Sequence, residues 1–75
     1  MEVNLSNVVC KQNDFKICCT CGALNWYENE ICRECNTNKF DESNEAVTRF
    51  IEEEYSCYEY YGYTEEEIDN IFLEV

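Results

Sequence analysis

The chain carries two Cys-x-x-Cys pairs, Cys18 with Cys21 and Cys32 with Cys35, with ten residues between them. No other feature restricts its fold as strongly. Four thiolates in two closely spaced pairs are how a short chain encloses a tetrahedral zinc ion. Each pair predicts a tight knuckle whose backbone amides turn towards the sulfurs, and the intervening span predicts that the knuckles meet. Two disulfides or four free thiols are the competing reading. Disulfide frameworks rarely double the x-x spacing, so that reading fits less well. The expected ligands are Cys18, Cys21, Cys32 and Cys35 around one structural Zn2+.

The chain has 75 residues, enough for one small domain. A core of that size is marginal by itself, and a structural metal is a common remedy. Zinc binding to such sites is worth on the order of 10 kcal/mol and appears as folding free energy. A catalytic zinc keeps an open position and typically uses His or carboxylate ligands. This chain has no His, which also removes the commonest general base. The composition therefore argues against an enzyme.

Net charge is −12, from 17 acidic and 5 basic residues. Such a chain repels a phosphate backbone. Most of the acids lie between Asp41 and Glu74, so an acidic half follows a nearly neutral one. That asymmetry suggests a protein or ribonucleoprotein partner with a basic surface; solvation of the surface is the plainer alternative. Three of the seven cysteines, Cys10, Cys19 and Cys57, lie outside the zinc set. The odd number and the lack of a secretory signal predict an intracellular protein, cytoplasmic or nuclear. No apolar run approaches the length of a membrane span.

The pattern divides into an N-terminal arm (1–14), a four-cysteine finger (15–40) and an acidic helical segment (41–75). The arm, with Val3, Leu5, Val8 and Val9, reads either as a strand added to the finger or as a tail that orders against a partner. In the finger, Gly22 follows the second cysteine, where a knuckle commonly needs positive φ. A helix is expected over about 42–61, capped by Asp41 or Ser43 and stopped at Gly62. Its apolar residues Val47, Phe50, Ile51, Tyr55 and Tyr58 recur at three- and four-residue spacing. A second helix is expected over about 64–74, started by a Thr64/Glu67 capping box. Its stripe is Ile68, Ile71, Phe72 and Val75. That stripe is either buried on the first helix or offered to a partner's groove, with Ile68, Ile71 and Phe72 as contacts. The fold class is thus a small zinc-stapled domain: two knuckles or short β-hairpins followed by two α-helices.

From Cys18 onward the order is C-x2-C-x3-N-x6-C-x2-C, with Asn25 and Trp26 in place. This resembles the Ran-binding-protein-type, or NZF-like, zinc finger family over residues 15–40. The resemblance implies that the Asn25 side chain bonds to the finger's backbone and stiffens it. The family usually carries Trp two positions before the first cysteine; here Lys16 stands there and Phe15 lies one further out.

Family members that bind ubiquitin use Thr-Phe after the second cysteine and an apolar residue before the fourth. This chain has Gly22-Ala23 and Glu34, so the usual ubiquitin contacts are missing. Members that bind single-stranded RNA resemble C-G-x-x-N-W followed by two arginines. Gly22, Asn25 and Trp26 match, but Glu28 and Asn29 hold the arginine places. A carboxylate cannot replace an arginine at a guanine edge, because donors are needed there.

The resulting expectation is a non-enzymatic interaction module, an adaptor that docks on a protein or on a large assembly such as a ribosome or polymerase. Trp26 and Tyr27 are candidate anchors, although Trp26 also suits the finger's own core. The alternative is a single-stranded RNA-binding finger that stacks bases on Trp26, helped by Lys11, Lys16, Arg33 and Lys39. Redox chemistry at Cys18, Cys19 and Cys21 lacks the expected βαβ context.

Overall fold

Asp41 accepts hydrogen bonds from both the amide (3.0 Å) and the hydroxyl (2.7 Å) of Ser43. Ser43 Oγ in turn accepts from the Ala46 amide at 3.3 Å. These bonds start helix α2, Asn44–Tyr60, with the capping side chain itself held in place. The two Ser43 donors, side chain first, also hold the Asp41 carboxyl below its ordinary range. At the other end the Gly62 amide bonds to the Glu59 carbonyl and the Tyr63 amide to that of Tyr58. This is a Schellman closure, and Gly62 takes the left-handed conformation it needs at φ 89°. The computed structural model describes all residues, 1–75.

The finger supplies a three-stranded antiparallel sheet. Strand β2, Phe15–Cys18, lies between β3, Leu24–Trp26, and β4, Phe40–Asp41. Phe15 faces Trp26, Lys16 faces Asn25 and Ile17 faces Leu24 across the β2/β3 pair. Cys18 pairs with Phe40 on the other side, so the first ligand is part of the sheet.

Two helices were expected, and the fold has three. Residues 1–14, read as an arm, hold strand β1, Glu2–Asn4, and helix α1, Leu5–Cys10, then a 3₁₀ turn over Gln12–Asp14. Leu5 and Val8 are fully buried. Six residues make too short a helix to stand alone; burial of its apolar face holds it in place.

The second acidic helix is also shorter than expected. Helix α3 covers Glu65–Asp69, and its capping box is complete at Thr64 and Glu67. Phe72–Glu74 is strand β5, antiparallel to β1, with Glu2 opposite Glu74 and Asn4 opposite Phe72. Two periods competed over 68–75. Burial alternates along the end of the chain, with Ile71, Leu73 and Val75 turned inward and Phe72 and Glu74 outward. The two-residue period wins because β1 is there to pair with, and the Leu5 amide bonds to the Ile71 carbonyl at 2.9 Å.

One core joins these parts: Leu5, Val8, Phe15, Leu24, Val47, Ile51, Ile68 and Val75. Tyr55 donates its hydroxyl to Asp69 and ties α2 to α3. Only 13 of the 75 residues are buried, so burial alone leaves this domain marginal. No helix is long and apolar enough to cross a membrane.

Candidate metal centre

The two knuckles are built alike. The Cys18 amide bonds to the Ala23 carbonyl, and the Gly22 amide returns to Cys18, both at 2.9 Å. In the second knuckle the Cys32 amide bonds to the Thr37 carbonyl at 2.8 Å, and the Asn36 amide returns to Cys32 at 3.0 Å. The residue after each pair is left-handed, Gly22 at φ 75° and Asn36 at φ 62°. Asn tolerates this region better than most side chains. Asn36 thus plays the part in the second knuckle that Gly22 plays in the first; an Asn directly after a Cys-x-x-Cys pair was the available signal.

Pairing of β2 with β3 closes the hairpin that carries the first knuckle, and pairing of β2 with β4 returns the chain after the second knuckle to Cys18. The sulfurs of Cys18, Cys21, Cys32 and Cys35 all lie within 4.8 Å of one another. Cys18 and Cys35 Sγ are 3.4 Å apart, and Cys21 and Cys32 Sγ are 3.6 Å apart. Metal–sulfur bonds of about 2.3 Å give a tetrahedral edge of about 3.8 Å, so this set can hold one metal ion. The geometry is too open for disulfides, whose sulfurs lie about 2 Å apart, and all seven cysteines are free thiols. Cys18 and Cys32 are buried, while Cys21 is exposed.

The surroundings favour thiolate. The Thr20 and Glu34 amides donate to Cys18 and Cys32 Sγ, each at 3.4 Å. Thr37 Oγ1 lies 3.3 Å from Cys18 Sγ and 3.4 Å from Cys35 Sγ. Thr37, followed by backbone donors, brings the Cys18 thiol down to about 5. At Cys32 burial opposes ionisation, but the amides of Cys35 and Glu34 and the Asn25 side chain outweigh it and lower the pKa. Cys21 goes the other way. The Ala23 amide favours its thiolate, yet partial desolvation of the sulfur and the crowded sulfurs of Cys35, Cys32 and Cys18 push it up to about 12. Without a cation, four sulfurs this close cannot all carry charge.

Asn25 braces the centre and is fully buried. Its Nδ2 donates to the Ala23 carbonyl at 3.2 Å and to Cys32 Sγ at 3.5 Å. Its Oδ1 accepts from the Arg33 amide at 3.1 Å and from Asn29 Nδ2 at 3.2 Å. One side chain thus spans both knuckles. Thr37, which reading the sequence missed, closes the opposite side; its link to Cys18 crosses 19 positions and carries no local signal.

The candidate contact residues separate. Trp26 is half-buried, edge-on to Phe15 (5.6 Å, 77°) and tilted against Tyr27 (4.9 Å). Tyr27 is exposed, Ile68 is fully buried in the core, Ile71 is half-buried and Phe72 is exposed. The cations beside the finger are partly engaged. Lys16 is buried, with Nζ bonded to the Asn29 carbonyl and placed 3.9 Å from the centre of the Phe40 ring. Arg33 donates to the Leu24 carbonyl and pairs with Glu34. Cys10, Cys19 and Cys57 are exposed. No protein-family model, curated protein or solved structure matches this chain.

Proposed function

We propose that Cys18, Cys21, Cys32 and Cys35 hold one structural Zn2+, and that the finger so formed belongs to a non-enzymatic adaptor that docks on a protein with a basic surface. The observation that carries the zinc assignment is the closed set of four sulfurs, all within 4.8 Å. Four protein ligands leave no open position for substrate or water, which is the mark of a structural site. The resemblance of the finger to the NZF-like family agrees with this, and Asn25 bonds to the finger's backbone as that family's asparagine does.

The docking assignment rests on charge. Glu52, Glu53 and Glu59 stand exposed along α2, and Glu65, Glu66 and Glu67 on α3. RNA binding by the finger is disfavoured by the commitments of its own side chains. Asn29, in the place of a guanine-reading arginine, uses its amide on Asn25 and on the Val75 carbonyl. Lys16 and Arg33 are turned to internal partners. The test is capture from cell lysate with metal-loaded protein, with and without nuclease. Basic proteins retained after nuclease support the adaptor; retention that vanishes with nuclease favours base stacking on Trp26.

A further inference from the structure

Helix α2 ends in a cluster of aromatic rings that the fold does not use. Tyr60 is 85 % exposed, Tyr61 69 % and Tyr63 43 %. The Tyr60 and Tyr61 rings meet edge to face, with centres 5.5 Å apart at 82°. Tyr63 leans on the half-buried Tyr58 at 5.2 Å and 57°. The turn at Gly62 fixes this arrangement, since the Tyr61 and Tyr63 amides both bond to the Tyr58 carbonyl at 3.1 Å. The aromatic patch is therefore carried on a rigid helix end.

Acids surround these rings in the sequence. Glu59, Glu65 and Glu66 flank them along the chain and are exposed, and no Lys or Arg occurs after Arg49. Neither of the protein's two ion pairs involves these three carboxylates. A cation held over an aromatic face is attracted by the ring. Arginine adds a flat, weakly hydrated group that stacks on the ring while its N–H groups reach carboxylates; lysine's compact ammonium stays more strongly hydrated. A second copy of the chain is a poor occupant, because each carries a net charge of −12 and the acids would face each other. A nucleic acid is repelled for the same reason.

We infer that the Tyr60, Tyr61 and Tyr63 patch, with Glu59, Glu65 and Glu66, is the docking site for an arginine-rich segment of a partner protein. This rests on the adaptor reading and names where and what it binds. The test compares two labelled peptides of equal length and charge, one of alternating Arg and Gly and one of alternating Lys and Gly. Their binding to the full-length, metal-loaded chain is followed by fluorescence anisotropy.

The intact chain is expected to bind the Arg peptide more tightly than the Lys peptide, because the flat, weakly hydrated guanidinium stacks on the rings and the ammonium does not. Tyr60→Ala with Tyr61→Ala should erase that preference without changing metal content, because both rings stand in solvent. Glu65→Gln with Glu66→Gln should weaken both peptides alike. Equal binding of the two peptides, or a preference that survives the loss of both tyrosines, overturns the patch while leaving the adaptor reading in place. Competition by single-stranded RNA that Tyr60→Ala with Tyr61→Ala abolishes also overturns it. Failure of both peptides to bind, together with an empty nuclease-treated capture, overturns both.

Discussion

Asn25 does the work of several residues. It donates to Ala23 and Cys32 and accepts from Arg33 and Asn29, all from a fully buried position. Asn25→Ala leaves the Arg33 amide without its partner and takes from the Ala23 carbonyl the second of its two donors, the Cys18 amide remaining. The expected cost is about 1–3 kcal/mol, read as a lower urea midpoint of the metal-loaded protein with an unchanged slope. Thr37→Val tests a different role. It keeps the shape of the side chain but removes the hydroxyl beside Cys18 and Cys35. Neighbours of this kind tune metal ligands, and their loss typically weakens affinity about 10–100-fold. Competition with a chelator measures this directly. The two positions differ in how far the sequence exposed them. Asn25 sits at fixed spacing inside the motif, whereas Thr37 reaches Cys18 only because the second knuckle folds over the first.

Among the elements, the N-terminal segment has the largest consequence. Leu5 is fully buried on α1, and β1 pairs with β5 at the other end of the chain. Leu5→Ala should cost about 2–5 kcal/mol, a large part of the stability of so small a domain, and thermal unfolding will show it. A detachable arm would tolerate the change. The junction between α2 and α3 responds to pH instead. The hydrogen bond from Tyr55 to Asp69, helped by burial and nearby negative charge, raises Tyr55 to about 12. The ordinary value is about 10. The neutral form is therefore favoured in the folded state, and its contribution is intact below about pH 10. It is lost as pH rises towards 12. Tyrosinate absorbance should show a late-ionising tyrosine, and Asp69→Asn should bring that step to lower pH. Helix α2 could be read from the sequence because its caps and its three- and four-residue spacing agree. Strand β5 could not, because Ile71 and Val75 fit both a helical and an alternating pattern and the deciding partner, β1, lies some 70 residues away. Helix α1 is too short to leave a periodic signal.

For the molecule as a whole, the balance between core and centre decides the account. Eight residues form the buried cluster, drawn from the N-terminal segment, the finger and the acidic half alike. Such a cluster is too small to hold three helices and two sheets securely. The four sulfurs join the finger's two knuckles, and a bound zinc ion is expected to contribute on the order of 10 kcal/mol of folding free energy. Two Cys-x-x-Cys pairs made this centre visible in the sequence, because ligand spacing is local. The way the ends of the chain join the core was hidden, because those contacts are not local. The central claim is best tested by native mass spectrometry of the purified chain and of Cys35→Ser, with circular dichroism before and after chelation. The account predicts one zinc per chain, loss of metal in Cys35→Ser, and loss of the folded signal when zinc is stripped. A metal-free chain that keeps its fold, or a Cys35→Ser protein that is stable and still zinc-loaded, would contradict it.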